Sequence, residues 1–376
     1  WRRMRDEAPV YYNQEFDFYA LSRFDDVMNA SLDTESFSSE HGITLDMITE
    51  DPWGDPKAMI MMDPPNHTAM RKMVNRTFFR SRIAKLEDYV RVLCRGYLDR
   101  YVGSGGFDYV NDFSAKLPVM VISSLLGFPE EDHDNLRVWS DAQVHRDEGN
   151  PERSAAGDEA SANLFEYYRQ QIELRRHHRL TDVVSDLMDS DLVEPDVDPR
   201  RLDDGELLVF IAMINVAGNE TVARLLGWAA LTLARNPDQR AKLVADPSLI
   251  GNAVEELLRY DAPSPVQGRF TLRDSTYHGT VIPAGSKVAL LTGSAGRDER
   301  QYERADAFDV TRTGIRHISF GHGSHFCLGA ALARLEARVA LEETLKRFPD
   351  WTVDESNVAY VHTNSVRGPA SVPVLL

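Results

Sequence analysis

The chain has 376 residues, 43% of them hydrophobic, and a formal net charge of −17. This length allows two domains or one unusually large one, and the negative charge argues against a nucleic-acid binder, which needs a dominant basic face. The two cysteines, Cys94 and Cys327, lie far apart, which argues against a disulfide framework and fits a reducing cytoplasm. The first residues show neither a signal peptide nor a membrane anchor, and the strongest apolar run, 207–214, is shorter than the roughly 18 residues of a membrane span. We therefore expect a globular cytoplasmic protein.

Apolar periodicity between turn signals predicts mainly helices. In chain order, the predicted helices cover residues 68–79, 83–101, 158–176, 203–235, 247–260 and 328–348. Either Asp203 or Asp204 could cap the longest of them. Short strands are predicted at 270–272, 281–282 and 287–291, and residues 358–363 could pair with 371–376 in a C-terminal hairpin. The pattern indicates a mainly α fold with small β-sheets (α+β), with a helix-rich body over about 63–260 and 328–348 and sheets mainly in 266–292 and 358–376.

Charge is unevenly spread along the chain. All the Asp, Glu, Lys and Arg residues between positions 64 and 86 are basic, namely Arg71, Lys72, Arg76, Arg80, Arg82 and Lys85. This run either balances charge or steers an acidic partner protein toward the chain. The region 182–206 is rich in Asp and Glu without the spacing of a calcium loop, so we expect it to be a solvated loop.

The segment from Phe320 to Gly329 reads FGHGSHFCLG and places Cys327 at the start of a predicted helix. A helix N-terminus favours a thiolate, because its free N–H groups and dipole stabilise negative charge. Gly321 and Gly323 can adopt positive φ and tighten the loop, and Gly329 leaves room for a flat ligand. The alternative is a buried structural thiol, which is how we interpret Cys94 on its amphipathic helix.

This segment resembles the haem-binding signature of the cytochrome P450 superfamily, carried by Phe320, Gly321, Gly323, His325, Cys327 and Gly329. The resemblance extends over nearly the whole chain. It implies a triangular single domain over residues 1–376, with haem b between the long helix and the cysteine-bearing helix. It also implies that Cys327 is the thiolate ligand of the iron, which favours O–O cleavage.

The long helix carries Ala217, Gly218, Asn219, Glu220 and Thr221 near its middle. A glycine inside a helix costs about 1 kcal/mol relative to alanine, and an acid beside a hydroxyl in an apolar helix is unfavourable without a role. One interpretation is a kink with a satisfied polar pair. The segment is similar to the oxygen-activating part of the cytochrome P450 family, which implies that Thr221 holds dioxygen, that Glu220 supplies protons, and that Ala217 and Gly218 adjoin the haem. Val222 stands where many members have a second hydroxyl.

Glu256 and Arg259 are three residues apart, so they share a helix face and can pair. On spacing alone, a surface ion pair worth about 0.2–0.5 kcal/mol is the simpler interpretation. The resemblance implies instead a structural pair behind the haem. Further on, Gly296 and Glu299 depart from the asparagine and proline that the family usually has upstream of its cysteine loop.

The two propionates of haem need cations. His67 and Arg71 are four apart and face one way on a helix, and the arginine fork suits a carboxylate. Spacing alone leaves solvated cations as an equal alternative. By resemblance, these two residues bind the propionates together with Arg269 and His325.

Substrate contacts follow from the family's variable segments. The positions so inferred are Met61, Met62, Phe210, Ile214, Val266, Gln267, Ser365 and Val366. Methionine adapts to irregular ligands, and apolar pockets with few polar groups suit lipophilic molecules, so we expect a terpenoid, steroid or other lipid-like substrate.

The chain has neither a phosphate-binding Walker loop nor a dinucleotide fingerprint, so its electrons must come from a partner. The resemblance implies a monomeric monooxygenase that inserts one atom of O2, with electrons from NAD(P)H through ferredoxin reductase and ferredoxin. The alternatives are a hydrogen-peroxide-driven peroxygenase, an oxidase of the same fold catalysing desaturation or coupling, and a non-catalytic haem sensor. Glu220 and Thr221 count against the peroxygenase, which usually lacks that pair.

Overall fold

A computed structural model describes residues 1–75, 83–145, 154–194 and 197–376. About 52% of the chain is helical and the sheets are small, which confirms the predicted mainly helical α+β class. The helices of the described ranges are α1 (Arg2–Glu7), α2 (Phe24–Leu32), α3 (Asn66–Asn75), α4 (Glu87–Leu98), α5 (Leu117–Leu125), α6 (His133–Val144), α7 (Ala155–His177), α8 (Val183–Met188), α9 (Asp204–Arg235), α10 (Pro237–Ala245), α11 (Ile250–Tyr260), α12 (Thr292–Ala295) and α13 (Ala330–Arg347).

The strands form four sheets within the described residues. They are β1 (Val10–Asn13), β2 (Phe18–Leu21), β3 (Phe37–Ser38), β4 (Gly106–Asp108), β5 (Gln267–Thr271), β6 (Ser275–Tyr277), β7 (Thr280–Ile282), β8 (Lys287–Leu290), β9 (Thr352–Val353), β10 (Ala359–Tyr360), β11 (Pro369–Ser371) and β12 (Pro373–Leu375). The largest sheet has the order β1-β2-β8-β5-β3, in which only β2 and β8 run parallel. A second sheet has the order β4-β12-β9, and two hairpins pair β6 with β7 and β10 with β11.

The long helix α9 is the centre of the helical body. Asp203 is its cap, since its carboxylate accepts from the Glu206 N–H at 2.8 Å while the Glu206 carboxylate accepts from the Asp203 N–H at 2.9 Å. Of the described helices, α9 alone has the length and apolar composition that a membrane span would require. Its packing against α5, α7 and α13 makes it a core helix, as expected for residues 207–214.

The prediction that strands lie mainly in 266–292 and 358–376 missed β1, β2 and β3. The turn between β1 and β2 contains neither glycine nor proline. Asn13 closes it by accepting from the N–H groups of Glu15 and Phe16, and Asp17 takes a positive φ of 47°. These strands make the N-terminal segment part of the largest sheet.

The predicted C-terminal hairpin was wrong in its extent and register. Only β10 and β11 pair with each other, and β12 pairs with β4 and β9 instead. Pro369 and Pro373 lack an N–H group and cannot donate to a continuous ladder, which limits the hairpin.

The predicted acidic loop was also wrong at its start. Asp182 caps α8 and is buried, with its carboxylate 2.8 Å from Nε of the buried Arg175.

Helix α5 was missed because seven of its nine residues are buried, so it has no polar face to give a helical period.

Candidate haem site

The cysteine loop folds as its glycines predict. Gly321 and Gly323 have φ values of 71° and 72°, in the left-handed region that favours glycine. The Cys327 N–H donates to the Phe320 carbonyl at 2.8 Å, which closes the loop. Helix α13 then begins at Ala330 with Gly329 as its N-cap residue. A Cβ built on Gly329 would meet no atom within 4 Å, so the space above this residue is open to a flat group.

The Cys327 thiol lies between opposing influences. Burial raises its pKa, whereas the Gly329 N–H and the Arg71 and Arg334 guanidinium groups lower it. The Gly329 N–H thus faces the sulfur, and the two guanidinium groups add positive charge around it. Cys94 differs, since it is fully buried and burial raises its pKa far above the usual range.

Arg334 was missed by the sequence analysis. Its guanidinium lies 4.6 Å from the ring centre of Phe320 and forms two hydrogen bonds with the Glu255 carboxylate, at 2.6 and 2.9 Å. His317 also contacts this carboxylate at 3.1 Å, and these partners lower the pKa of Glu255 to about 2 although burial opposes them. The Arg334–Glu255 pair therefore ties α13 to α11 and holds the Phe320 end of the cysteine loop. The only signal was an arginine about one turn into a helix that starts beside a cysteine.

The four residues predicted to bind propionates lie close together. The rings of His67 and His325 are 4.3 Å apart, and the cations of Arg71 and Arg269 both act on His325. Burial and then Arg71 lower the pKa of His67 to about 4; burial and then Arg269 lower the pKa of His325 to about 3. Burial also lowers the pKa of Arg269 to about 10.

Several polar atoms of this cluster have no described partner. The buried Nδ1 of His67 and Nε2 of His325 form no hydrogen bond, and Arg269 donates to the neighbouring Gly268 carbonyl at 2.7 Å. The Asp63 carboxylate acts on Arg269 but accepts its hydrogen bonds from Ser38 and Ser39, at 2.5 and 2.9 Å, so the charge of the two arginines is only partly balanced. The cluster, with the open space at Gly329, therefore fits a flat group that carries two carboxylates.

The open face of α9 passes through Ala217. Ala217 is exposed although it lies in the middle of a core helix, and Met213 and Thr221, one turn to either side, are partly exposed. The Thr221 hydroxyl donates to the Ala217 carbonyl at 2.9 Å. Phe210 and Ile214, by contrast, are buried in the main core. The helix is continuous from Asp204 to Arg235, so α-helical hydrogen bonding is not interrupted at Gly218.

Gly218 faces a different neighbour. A Cβ at this position would lie 2.5 Å from Cδ1 of Ile122, so the glycine allows α9 to approach α5 closely. Glu220 lies on the same helix, with its carboxylate 3.9 Å from Nε of Arg224.

Glu256 and Arg259 do pair, and both are fully buried, which rules out the surface alternative. Nε of Arg259 lies 2.7 Å from the Glu256 carboxylate, while its other nitrogens donate to the carbonyls of Gly296, Ala305 and Ala307. The pair therefore ties α11 to the segment that leads into the cysteine loop.

The two departures from the family pattern have a structural explanation. A Cβ on Gly296 would lie 2.3 Å from the Arg259 carbonyl oxygen, so no side chain fits there. Glu299 forms ion pairs with Arg5 at 3.0 Å and Arg2 at 3.2 Å, which anchor α1.

Of the positions predicted to contact substrate, some lie near the cluster that contains His325 and others lie elsewhere. Near the cluster, Met62 provides a backbone hydrogen bond to His325, and the Gln267 amide lies 3.4 Å from a Cβ built on Gly321. Met61 is buried, and Val266 packs against a small cluster in the largest sheet.

The turn that carries Ser365 and Val366 is closed by Thr363, whose hydroxyl contacts the Val366 backbone at 2.9 and 3.0 Å. The Asn364 amide donates to Asp46 at 2.8 Å, so this turn meets the segment that precedes Met61. In the basic run, Arg76, Arg80 and Arg82 lie outside the described residues.

Comparison with known proteins agrees with this geometry. The family model described as Cytochrome P450 matches residues 111–364. A putative cytochrome P450 123 of Mycobacterium tuberculosis is 40% identical over 376 residues, which is 100% of this chain and 92% of that protein. The vitamin D(3) 25-hydroxylase of Pseudonocardia autotrophica is 37% identical over 95% of this chain and 88% of its own length. A solved structure of a mutant of P450 EryK in complex with erythromycin B superposes with a TM-score of 0.88, at 35% identity, over 100% of this chain and 94% of that one.

Family and fold imply haem with a cysteine thiolate ligand, dioxygen, and electrons from redox partners. The cysteine loop, the open space at Gly329 and the cluster of two arginines and two histidines are the features of this chain that fit such a group. The chain belongs to the cytochrome P450 superfamily of monooxygenases, in its bacterial type.

Proposed function

We propose that this enzyme hydroxylates a medium-sized lipophilic molecule, with Cys327 as the iron ligand and with electrons from NAD(P)H through ferredoxin reductase and a ferredoxin. The observation that carries the proposal is the cluster of His67, Arg71, Arg269 and His325 beside the cysteine loop, in which His67 and Arg269 are buried and both histidines have an unpartnered nitrogen. Solvated surface cations would show neither this burial nor this convergence.

In this proposal each part of the site has its own task. The two arginines and the two histidines bind the propionates, and each arginine contributes a fork that matches a carboxylate. Cys327 supplies the thiolate, held by the Gly329 N–H and the loop hydrogen bond to Phe320. Bound haem activates dioxygen, and a thiolate ligand favours O–O cleavage.

Glu220 and Thr221 supply protons to the oxygen site. Thr221 lies on the open face of α9 next to the exposed Ala217, which leaves space for a small ligand. The overall reaction converts R–H, O2, two electrons and two protons into R–OH and water. The protons leave as water, and NAD(P)H provides the electrons.

The proposed substrate class has two supports. Met213 lies on the open face of α9 and Met62 lies beside His325, both are partly exposed, and methionine adapts to irregular ligands. Two similar proteins are a vitamin D(3) 25-hydroxylase and a P450 EryK mutant whose structure was solved in complex with erythromycin B. We therefore expect a terpenoid, steroid or similar compound to fill this space.

The test is a reconstitution. Purified holoenzyme is screened with lipophilic compounds for a shift of the haem absorption band, and compounds that bind are incubated with NAD(P)H, ferredoxin reductase, ferredoxin and O2. Product that depends on all four components supports the proposal. Binding without product in any such mixture would favour a sensor, and product with hydrogen peroxide alone would favour a peroxygenase.

A further inference from the structure

A small cavity lies behind α9, between this helix and α6. Helix α9 contributes Asn219, Glu220 and Arg224 to its lining, and α6 contributes Ser140 and Asp141. The volume is about 10 Å³, the space that roughly one water molecule needs. Ala115, Val119, Val216 and Ala223 complete the lining, so polar and apolar side chains share it.

Two buried atoms of the lining point to a bound water. Oδ1 of Asn219 is an acceptor and Nε of Arg224 is a donor, and neither has a hydrogen-bond partner. Both residues are more than nine-tenths buried. Leaving such buried groups unsatisfied is unfavourable, and a bridging water would satisfy both.

The remaining bonds of these side chains fix their orientation. The Asn219 amide donates to Asn215 at 3.3 Å, and Asn215 donates to Ser140 at 2.8 Å. Arg224 donates through another nitrogen to the Pro369 carbonyl at 2.6 Å. Its Nε is 3.9 Å from the Glu220 carboxylate, a separation that a water can bridge.

Asp141 stands at the outer side of this cavity. It is exposed, and one oxygen accepts from Arg137 at 3.3 Å. The charge of Arg224, across the cavity, acts on Asp141. Glu220 and Asp141 thus line the same cavity, one next to the oxygen site and the other in contact with solvent.

We infer that Asp141 and one water held by Asn219 and Arg224 form the entry through which protons reach Glu220. This inference rests on the proposed function, because it supplies the two protons of each hydroxylation, while NAD(P)H and its redox partners supply the electrons. Asp141 takes a proton from solvent, the cavity water passes a proton to Glu220, and Glu220 passes one to the oxygen site. Asn219 and Arg224 position the water. The route requires no second hydroxyl at Val222.

The inference is tested with Asp141→Asn in the holoenzyme. The matched control is Asp134→Asn, an exposed carboxylate two turns earlier on α6 that does not line the cavity. Proton transfer by a positioned group contributes roughly 10²–10⁴-fold to a reaction rate. We expect Asp141→Asn to lose part of this contribution and to lower product per NAD(P)H on the order of tenfold. It should also raise the solvent deuterium isotope effect. The control should match the wild type, and all three proteins should share one haem spectrum.

A crystal structure provides a readout that is independent of activity. It should show one ordered water within hydrogen-bond distance of Asn219 Oδ1 and Arg224 Nε. Ala223→Val, which fills the cavity without changing charge, should remove this water and reproduce the loss of coupling. The inference is overturned by a dry cavity, or by an Asp141→Asn enzyme that couples as well as the control. Absence of any product from the wild type would instead refute the proposed function, while the crystal still shows whether the water exists.

Discussion

Glu336 is the most informative buried group for a stability experiment. It lies on α13, nine residues after Cys327, with 1% of its surface exposed and no hydrogen-bond partner for either carboxylate oxygen. Burial raises its pKa from 4.5 to about 8. The folded protein therefore holds this proton while the unfolded chain releases it, and stability falls as the pH rises from about 4.5 to about 8.

Replacing Glu336 by glutamine removes this effect, because the amide does not titrate. At about 1.4 kcal/mol per pKa unit, the advantage of Glu336→Gln over the wild type should be small near pH 5 and grow toward a ceiling of about 5 kcal/mol above pH 8. Unfolding midpoints in denaturant, measured on the holoenzyme from pH 5 to 9, provide the comparison. Parallel pH profiles for the two proteins would show that Glu336 is not held neutral by burial.

Glu343 on the same helix is the matched control, because its pKa is shifted in the opposite direction. Its carboxylate contacts Arg91 at 2.9 Å, Arg95 at 3.2 Å and Arg347 at 2.6 Å, and these bonds lower its pKa to about 2 although burial opposes them. Such a group contributes stability above about pH 4.5 and loses it as the pH falls toward 2. Glu343→Gln should therefore destabilise the protein throughout pH 5–9, where Glu336→Gln stabilises it.

Three further substitutions test other parts of the structure. Thr221→Val should leave substrate binding intact but lower product per NAD(P)H; unchanged coupling would contradict its assigned role. Gly218→Ala should cost about 1–3 kcal/mol of stability by crowding Ile122, whereas Gly96→Ala, with open space around it, should be neutral or stabilising by about 0.5–1 kcal/mol. A Gly218→Ala protein as stable as Gly96→Ala would contradict the close approach. Arg269→Leu should speed haem transfer to an apo-globin acceptor about tenfold or more, since a charged hydrogen bond is worth about 1.5–3 kcal/mol; an unchanged transfer rate would exclude a propionate contact.

Features that depend on neighbouring residues were easier to predict from the sequence than features that depend on distant segments. Short-range features were predictable, since positive φ at Gly321 and Gly323 and the capping of α9 by Asp203 depend on a few neighbouring residues. The pairing of Glu256 with Arg259 was predictable, but its burial was not, because burial depends on the distant segment that contributes Gly296.

Contacts between distant segments account for most of what was missed. Arg334 and Glu255 are 79 residues apart, and neither belongs to a motif. The face of α9 was only partly predicted, because a helical period places Phe210, Ile214, Ala217 and Thr221 together without showing which of them the packing leaves open. Core packing buries the first two and exposes Ala217.

The central claim is that Cys327, and not Cys94, binds the iron. The absorption spectrum of the reduced, CO-bound protein tests it directly, because thiolate ligation has a distinct signature in that spectrum. Cys94→Ala should keep the signature, since Cys94 is fully buried in the core. Cys327→Ser should lose it even if haem is retained by the cation cluster. A thiolate signature that survives in Cys327→Ser, or disappears in Cys94→Ala with haem bound, would contradict the assignment.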